Sequence, residues 1–133
     1  MGFANLEDLL AIEKEVKWEE RDLPSTLFGL LSRTATSFPN RPAVSYQILS
    51  GPKDKAETLT WSELHTKTIQ AANMFRSLGV GSDDVVAYIL PNANETVLTL
   101  LGGAIAGIAN PINPLLDAEQ IGAILRETNA KVV

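Results

Sequence analysis

The chain has no cysteine and a single histidine, His65, among its 133 residues. The first absence excludes disulfides, thiolate nucleophiles and any zinc or iron–sulfur centre built on cysteine. The second excludes a multi-histidine metal site and leaves any histidine-based triad dependent on one residue. Bases are also in short supply, 11 Lys and Arg against 16 Asp and Glu, for a formal charge of −5. Nucleic acid and anionic lipid surfaces are gripped by clustered Lys and Arg, so this balance argues against both. A long hydrophobic run is missing too. Residues 96–116 carry no charge, but Gly102, Gly103, Gly107, Asn110, Pro111, Asn113 and Pro114 interrupt them. Their apolar part falls short of the ~20 residues a bilayer demands. Residues 1–10 hold two acids and no base, the wrong polarity for a signal peptide, and the expected location is cytoplasmic. Without secretion, the glycosylation triplet Asn94-Glu95-Thr96 carries no meaning.

What is present suits one domain with its own core, at 45% apolar residues. The acidity is local. Residues 1–22 hold seven acids and three bases, whereas residues 23–133 hold nine and eight. The expected division is an acidic N-terminal helical segment, 1–22, followed by a nearly neutral α/β portion, 23–133. The acidic segment reads as a solvated surface helix, with an interaction tail as the alternative.

Leu6, Leu9, Leu10 and Val16 give a loose helical stripe. Ser25 is a suitable N-cap for a second helix, with Leu27, Leu30, Leu31 and Ala35 on its inner face and Phe38-Pro39 as its stop. Ala43-Val44-Ser45-Tyr46-Gln47-Ile48 alternates like a strand, and Glu57-Thr58-Leu59-Thr60 returns as a hairpin partner. Thr60-Trp61-Ser62-Glu63 is a capping box for a helix carrying Leu64, Thr68, Ala71, Ala72, Phe75 and Leu78, which Gly79 ends. Residues 85–90 are an apolar run of the kind found in strands covered on both faces. A helix from about Glu95 to Ala106, a strand over 108–112, a helix capped by Asp117 and Gln120 and stopped by Asn129, and a further strand from Lys131 follow. This alternation implies parallel strands joined by helical crossovers. That last strand has only two valines, so the chain is expected to be a truncated front portion of something larger.

Several residues invite a chemical reading and are weighed against a structural one. Ser50-Gly51-Pro52-Lys53 suggests a phosphate loop, but it offers one glycine at a hairpin tip and no helix follows. Gly79-Val80-Gly81 lies between a helix and a strand, the reverse of a dinucleotide fingerprint. Gly102, Gly103 and Gly107 read as lying in a helix, where glycine is costly, and imply tight helix–sheet packing rather than a ligand. His65 has no visible acid–nucleophile pair around it. Asp83-Asp84 reads as a solvated turn rather than a cation site. No complete site emerges. A stand-alone small nucleotide- or flavin-binding α/β module, or an interaction domain using the acidic helix, remains open on these residues alone.

Certain segments nevertheless resemble a family. Leu59-Thr60-Trp61-Ser62-Glu63-Leu64 resembles the first core motif of adenylate-forming (AMP-binding) enzymes, and Phe38-Pro39-Asn40-Arg41-Pro42-Ala43 its lead-in. Residues 75–87 are similar to the leucine-glycine turn into a buried strand, and Leu90-Pro91-Asn92 with Glu95 to the strand exit. Residues 101–116 resemble the second core motif in its acyl-CoA synthetase version, with Asn110-Pro111-Ile112-Asn113-Pro114 pointing to bacterial synthetases. The likeness covers roughly residues 25–133 in order. It implies the first part of the large N-terminal domain: a partial parallel sheet with flanking helices plus a small β-hairpin. It also implies, for the whole enzyme, activation of a carboxylic acid, expected to be a fatty acid, with ATP and magnesium, then transfer to coenzyme A. An adenylation domain that passes its acyl group to a carrier protein is the alternative. The family's phosphate loop and catalytic lysine lie downstream of these motifs, so the resemblance assigns no catalytic, cofactor-binding or metal residue here. The fragment alone is expected to be inactive, and its unfinished sheet edge to favour self-association.

Overall fold

The computed structural model describes residues 5–49, 51 and 53–133. Five α-helices and four strands run in the order α1 (Leu6–Glu15), α2 (Leu27–Ser37), β1 (Pro42–Tyr46), β2 (Glu57–Thr60), α3 (Trp61–Ser77), β3 (Val85–Tyr88), α4 (Asn94–Ala106), β4 (Ile108–Pro111) and α5 (Ala118–Glu127). β1 and β2 form the antiparallel hairpin, with Tyr46 opposite Glu57 and Val44 opposite Leu59. β3 and β4 pair in parallel, Val85 with Ile108 through Tyr88 with Pro111. A parallel bridge from Val86 to Val132 makes β3 the central strand. All four β3 side chains are buried, as an uninterrupted apolar strand between helices should be.

Helix boundaries follow local chemistry. At the start of α3, Thr60 Oγ1 accepts from the Glu63 backbone N–H (3.3 Å) while Glu63 Oε2 accepts from that of Thr60 (2.9 Å). The Thr60 N–H first, then the Thr60 hydroxyl, which donates to the same carboxylate oxygen at 2.9 Å, hold the Glu63 carboxyl below its ordinary pKa. Asp117 and Gln120 repeat the arrangement at α5. At the far end of α3, Gly79 takes φ +86. Its N–H donates to Arg76 O (2.9 Å) and that of Val80 to Phe75 O (3.1 Å), the paired bonds of a Schellman cap. Val80 and Phe75 are then brought into one core cluster with Ala72, Val86 and Ala106. Asn129 at φ +48 closes α5 in the same manner.

Some boundaries differ from those read in the sequence. Thr26, not Ser25, caps α2, its hydroxyl accepting from Gly29 N–H at 3.0 Å. Thr26 is the extended residue just before the first helical turn (φ −130, ψ 151), so its hydroxyl, not that of Ser25, meets the first unpaired N–H groups. Leu31 and Ala35 are buried on α2, but Leu27 and Leu30 stay exposed. The first strand starts at Pro42 and stops at Tyr46, leaving Ile48 82% exposed. β3 ends at Tyr88, before Pro91. Leu78 sits past the end of α3 and is 56% exposed instead of joining the core. The acidic α1 is helical, capped by Asn5, and buries none of its residues.

One of the two glycines of α4 does different work from that expected. A Cβ on Gly102 would come within 2.7 Å of Ala71 Cβ and 3.1 Å of Ala72 N, so this glycine brings α3, not the sheet, against α4. Gly103 faces Val86 and Ala109 of the sheet at ordinary contact distance. Gly107, just past the helix, abuts backbone: a Cβ there would strike Asp84 O and lie 2.6 Å from Gly81 O. Asp84 is the joint at this corner. Its Oδ2 accepts from Gly81 N–H (2.7 Å) and from Lys131 Nζ (2.8 Å), and its carbonyl accepts from Ile108 N–H (2.9 Å). The ammonium first, then the Gly81 N–H, hold the carboxyl below its usual pKa.

Three outcomes follow from this packing. Gly107→Ala should lower stability by about 2 kcal/mol or more in urea unfolding, because rigid backbone on both sides cannot yield. Thr68 is buried within α3 and its Oγ1 has no partner among the described residues. Thr68→Val keeps the shape and removes an unmatched hydroxyl, so it should raise stability by roughly 1 kcal/mol in the same assay. A carboxyl with a depressed folded pKa stabilises above its unfolded pKa and loses that contribution as pH falls through the folded one. The stability gap between the parent chain and Asp84→Asn should therefore be open at neutral pH and close progressively below about pH 4, as followed by urea midpoints.

Candidate functional site

The phosphate-loop reading centres on the hairpin tip, where Ser50 and Pro52 lie outside the described residues. Gly51 N–H donates to Asp54 Oδ2 at 2.9 Å, and Asp54 N–H returns to Gly51 O at 3.1 Å. Gln47 Nε2 donates to the carbonyls of Gly51 and Asp54. A carboxylate therefore occupies the place an anion would take, and the chain leaves as a strand without a helix N-terminus to assist. This loop is built to turn.

His65 lies on α3 at the seam with α2. Its Nε2 is 2.9 Å from Ser32 Oγ, and its ring stacks on Phe28 with centroids 5.9 Å apart. The half-buried imidazole spends one nitrogen and one face on holding two helices together. Gly79-Val80-Gly81 is the cap and turn described above. Asp84 is committed to Gly81 and Lys131, and Asp83 is exposed beside it. The structure brings Gly81, Asp84 and Gly107 together at one corner; it leaves His65 and Gly51 apart from it. Among the described residues no group of three or more His, Cys, Asp or Glu is placed to hold a metal ion.

Two concavities bear on function. The larger, about 470 Å³, lies between the end of α3 and the exit of β3, with Met74, Leu78, Tyr88, Leu90 and Val133 in its wall. Burial pushes the Tyr88 phenol above its ordinary pKa. The smaller, about 220 Å³, separates β1 from the N-terminus of α4 and is walled by Tyr46, Asn92, Asn94 and Thr96. α4 starts at Asn94 after Ala93, which supplies no side-chain cap. Asn94 is 2% exposed, its Nδ2 donating to Glu57 O at 3.1 Å while Oδ1 has no partner.

Tested against the cofactors that the sequence resemblance implies, these features do not fit. ATP and magnesium call for convergent N–H donors, cationic side chains and oxygen ligands. The larger groove is apolar. The smaller one offers amides and hydroxyls but no cation in its wall. Neither wall carries a cationic side chain to meet a triphosphate.

Sequence reasoning missed both the burial of Asn94 and the groove at the end of α3. Asn94 reads as a turn residue because asparagine after Pro91-Asn92 is common in turns. Only its reach across to β2, 37 positions away, explains its burial. The groove did have a signal: Met74 near the end of α3 and Leu78, the residue that caps it, are four apart, one turn along the same side.

A family model described as AMP-binding enzyme matches residues 31–133. The chain is 33% identical over 129 residues to a marinolic acid–CoA ligase of Pseudoalteromonas sp., covering 97% of this chain and 20% of that protein. It is 29% identical over 116 residues to a peroxisomal benzoate–CoA ligase of Arabidopsis thaliana, covering 86% and 19%. Among solved structures, the inhibitor-bound N-terminal domain of FACL13 from Mycobacterium tuberculosis is 28% identical, with a TM-score of 0.68 over 80% of this chain and 26% of that one. A fatty acyl CoA synthetase of the same organism is 25% identical, with a TM-score of 0.66 over 78% and 20%. The chain thus spans about a fifth of the length of the curated relatives it matches. The run of motifs from the hairpin to the Asn-Pro segment, the fold that carries them and the family match agree: this chain belongs to the AMP-binding enzymes.

Proposed function

We propose that this chain forms the N-terminal scaffold of an ATP-dependent carboxylic acid–CoA ligase. The observation that carries the reading is the 33% identity, over nearly the whole chain, to a protein named as a CoA ligase. In the reaction proposed for the whole enzyme, a carboxylate oxygen of the acid attacks the α-phosphorus of ATP. The new C–O–P linkage is the acyl-adenylate, and pyrophosphate departs with the bridging oxygen. The sulfur of coenzyme A then attacks the acyl carbon, gives up its proton, and AMP leaves. Magnesium supplies charge neutralisation on the phosphates in chemistry of this type.

The chain's own contribution is positional. The Schellman turn, the Asp84 joint and the Gly102 contact hold two helices and a parallel pair in one arrangement. We take the acid to be a fatty acid and the setting to be cytoplasmic. The likeness to a fatty acyl CoA synthetase supports the first of these.

Grafted in place of the corresponding fifth of the marinolic acid–CoA ligase, this chain should sustain acyl-CoA formation from that enzyme's own acid. Alone, it should show no carboxylate-dependent exchange of pyrophosphate into ATP. A graft that folds yet forms no acyl-CoA would sink the proposal. Exchange by the lone chain at an ordinary enzymatic rate would overturn its assignment as a scaffold.

A further inference from the structure

The segment ahead of α2 is fastened at its root. Arg33, on α2, donates from Nη1 to the Asp22 carbonyl at 2.5 Å and lies 3.6 Å from the Asp22 carboxylate. A Cβ on Gly29 would come within 3.1 Å of Pro24 Cβ, so residues 22–26 run back along the Thr26–Gly29–Arg33 stripe of α2. On the other side of Asp22, Arg21 Nη2 donates to the carbonyls of Ile12 and Val16, both at 3.3 Å. Arg21 thereby closes the C-terminal end of α1 as Asn5 closes its N-terminal end. The result is a finished helix on a short lead. Yet α1 has only ten residues and buries none of them, and a helix of that length is marginal in water without a packed face.

Its free face has a definite pattern. Leu6, Leu9, Leu10 and Glu13 recur at helical spacing, three exposed leucines followed by an exposed carboxylate. The body carries the complement. A hollow of about 370 Å³ lies between the first turn of α2 and the last turns of α3 and α4, walled by Leu27, Phe28, Ala104 and Ile105, with Arg76 as its one charged residue. The Arg76 guanidinium reaches Ile105 O at 3.4 Å, and among the described residues no carboxylate meets it.

We propose that α1 is a strap that closes on this hollow, with its leucines against Leu27, Phe28 and Ile105 and the Glu13 carboxylate on Arg76. Reach permits it. Arg33, where the root is held, and Leu27 are six residues apart, ~9 Å along α2, and α1 is ~15 Å long. Tether and charge select α1 as the occupant. A segment on so short a lead acts at an effective concentration in the mM range, far above that of a second copy in dilute solution. Residues 1–22 hold seven acids against three bases, one of which, Arg21, is spent on the helix end. Such a segment is drawn to an unmatched cation and repelled by its own image and by an anionic lipid surface.

Amide exchange on the full chain reads the strap directly. At low salt the amides of residues 9–15 should exchange about tenfold more slowly than in a free peptide of residues 1–22, which has the helix and its caps but no body to dock on. That protection should not change with protein concentration. Arg76→Glu should abolish it, and Glu13→Arg added to Arg76→Glu should restore it, a rescue that a merely structural role for Arg76 would not give. Both positions are exposed, so exchange in β3 should stay at the parent rate in each variant. Because the chain has no cysteine, Leu10→Cys with Leu27→Cys leaves one thiol pair. It should oxidise to an intramolecular disulfide faster than Leu10→Cys with Lys55→Cys on the hairpin. Exchange at the free-peptide rate overturns the proposal. So does protection that Arg76→Glu leaves intact, which puts α1 on another surface, or protection that rises with protein concentration, which puts it on a second copy.

Discussion

The arrangement rests on how closely the backbone at Gly107 passes the backbone at Asp84. That contact leaves no room for a side chain. It lets the chain leave α4 and enter β4 at once, so that Ile108 N–H reaches Asp84 O at 2.9 Å and starts the parallel ladder. The same Asp84 binds the cap of α3 through Gly81 and the bridging strand through Lys131. Four segments distant in sequence thereby share one corner. Each hydrogen bond alone contributes little, but together they set the register from which the buried run of Val85–Tyr88 follows. The exposed location of the Asp84–Lys131 pair means that its value is geometric more than energetic.

Most of this was legible in the sequence where the signal was local. The Thr60 and Asp117 capping boxes, the Gly79 and Asn129 stops and the apolar run of β3 each depend on residues within a few positions of one another, and each is found as expected. The hairpin and the parallel order were legible for the same reason. What escaped depends on distant parts of the chain. Gly102 reads as a glycine against the sheet because α4 precedes a strand, yet it meets α3 through Ala71 and Ala72, some thirty positions earlier. Leu78 reads as core because it continues the stripe of α3, but the helix ends one residue before it and the following turn carries the chain away. A helical wheel cannot show where its helix stops. Asp83-Asp84 likewise reads as a solvated pair, since nothing nearby announces that Lys131 will close on one of the two.

The candidate site divides along the same line. Residues that look chemical in isolation proved to be structural for reasons that can be named: Gly51 is answered by Asp54, His65 by Ser32 and Phe28, and Asp84 by Gly81 and Lys131. An N–H or a carboxylate already matched within the chain has little left to offer a ligand, because breaking that match must be repaid by the new contact. The ordered motifs were the informative feature, and they carried family membership.

The two ends of the parallel pair explain why a scaffold and a site need not coincide. Ligands of open parallel sheets collect beyond the carboxyl ends of the strands. In this chain the amino ends are the anchored ones, held by Asp84, Gly107 and Lys131. The carboxyl ends run into Ile89-Leu90-Pro91 and Ile112-Asn113-Pro114, and α4 begins there without a side-chain cap. Proline at both exits limits local backbone freedom, yet the residues of these exits carry no charge of either sign. The sheet is thus anchored at its amino ends and uncharged at the exits where a ligand would approach. Such a division suits a support whose reactive groups must be contributed by other segments.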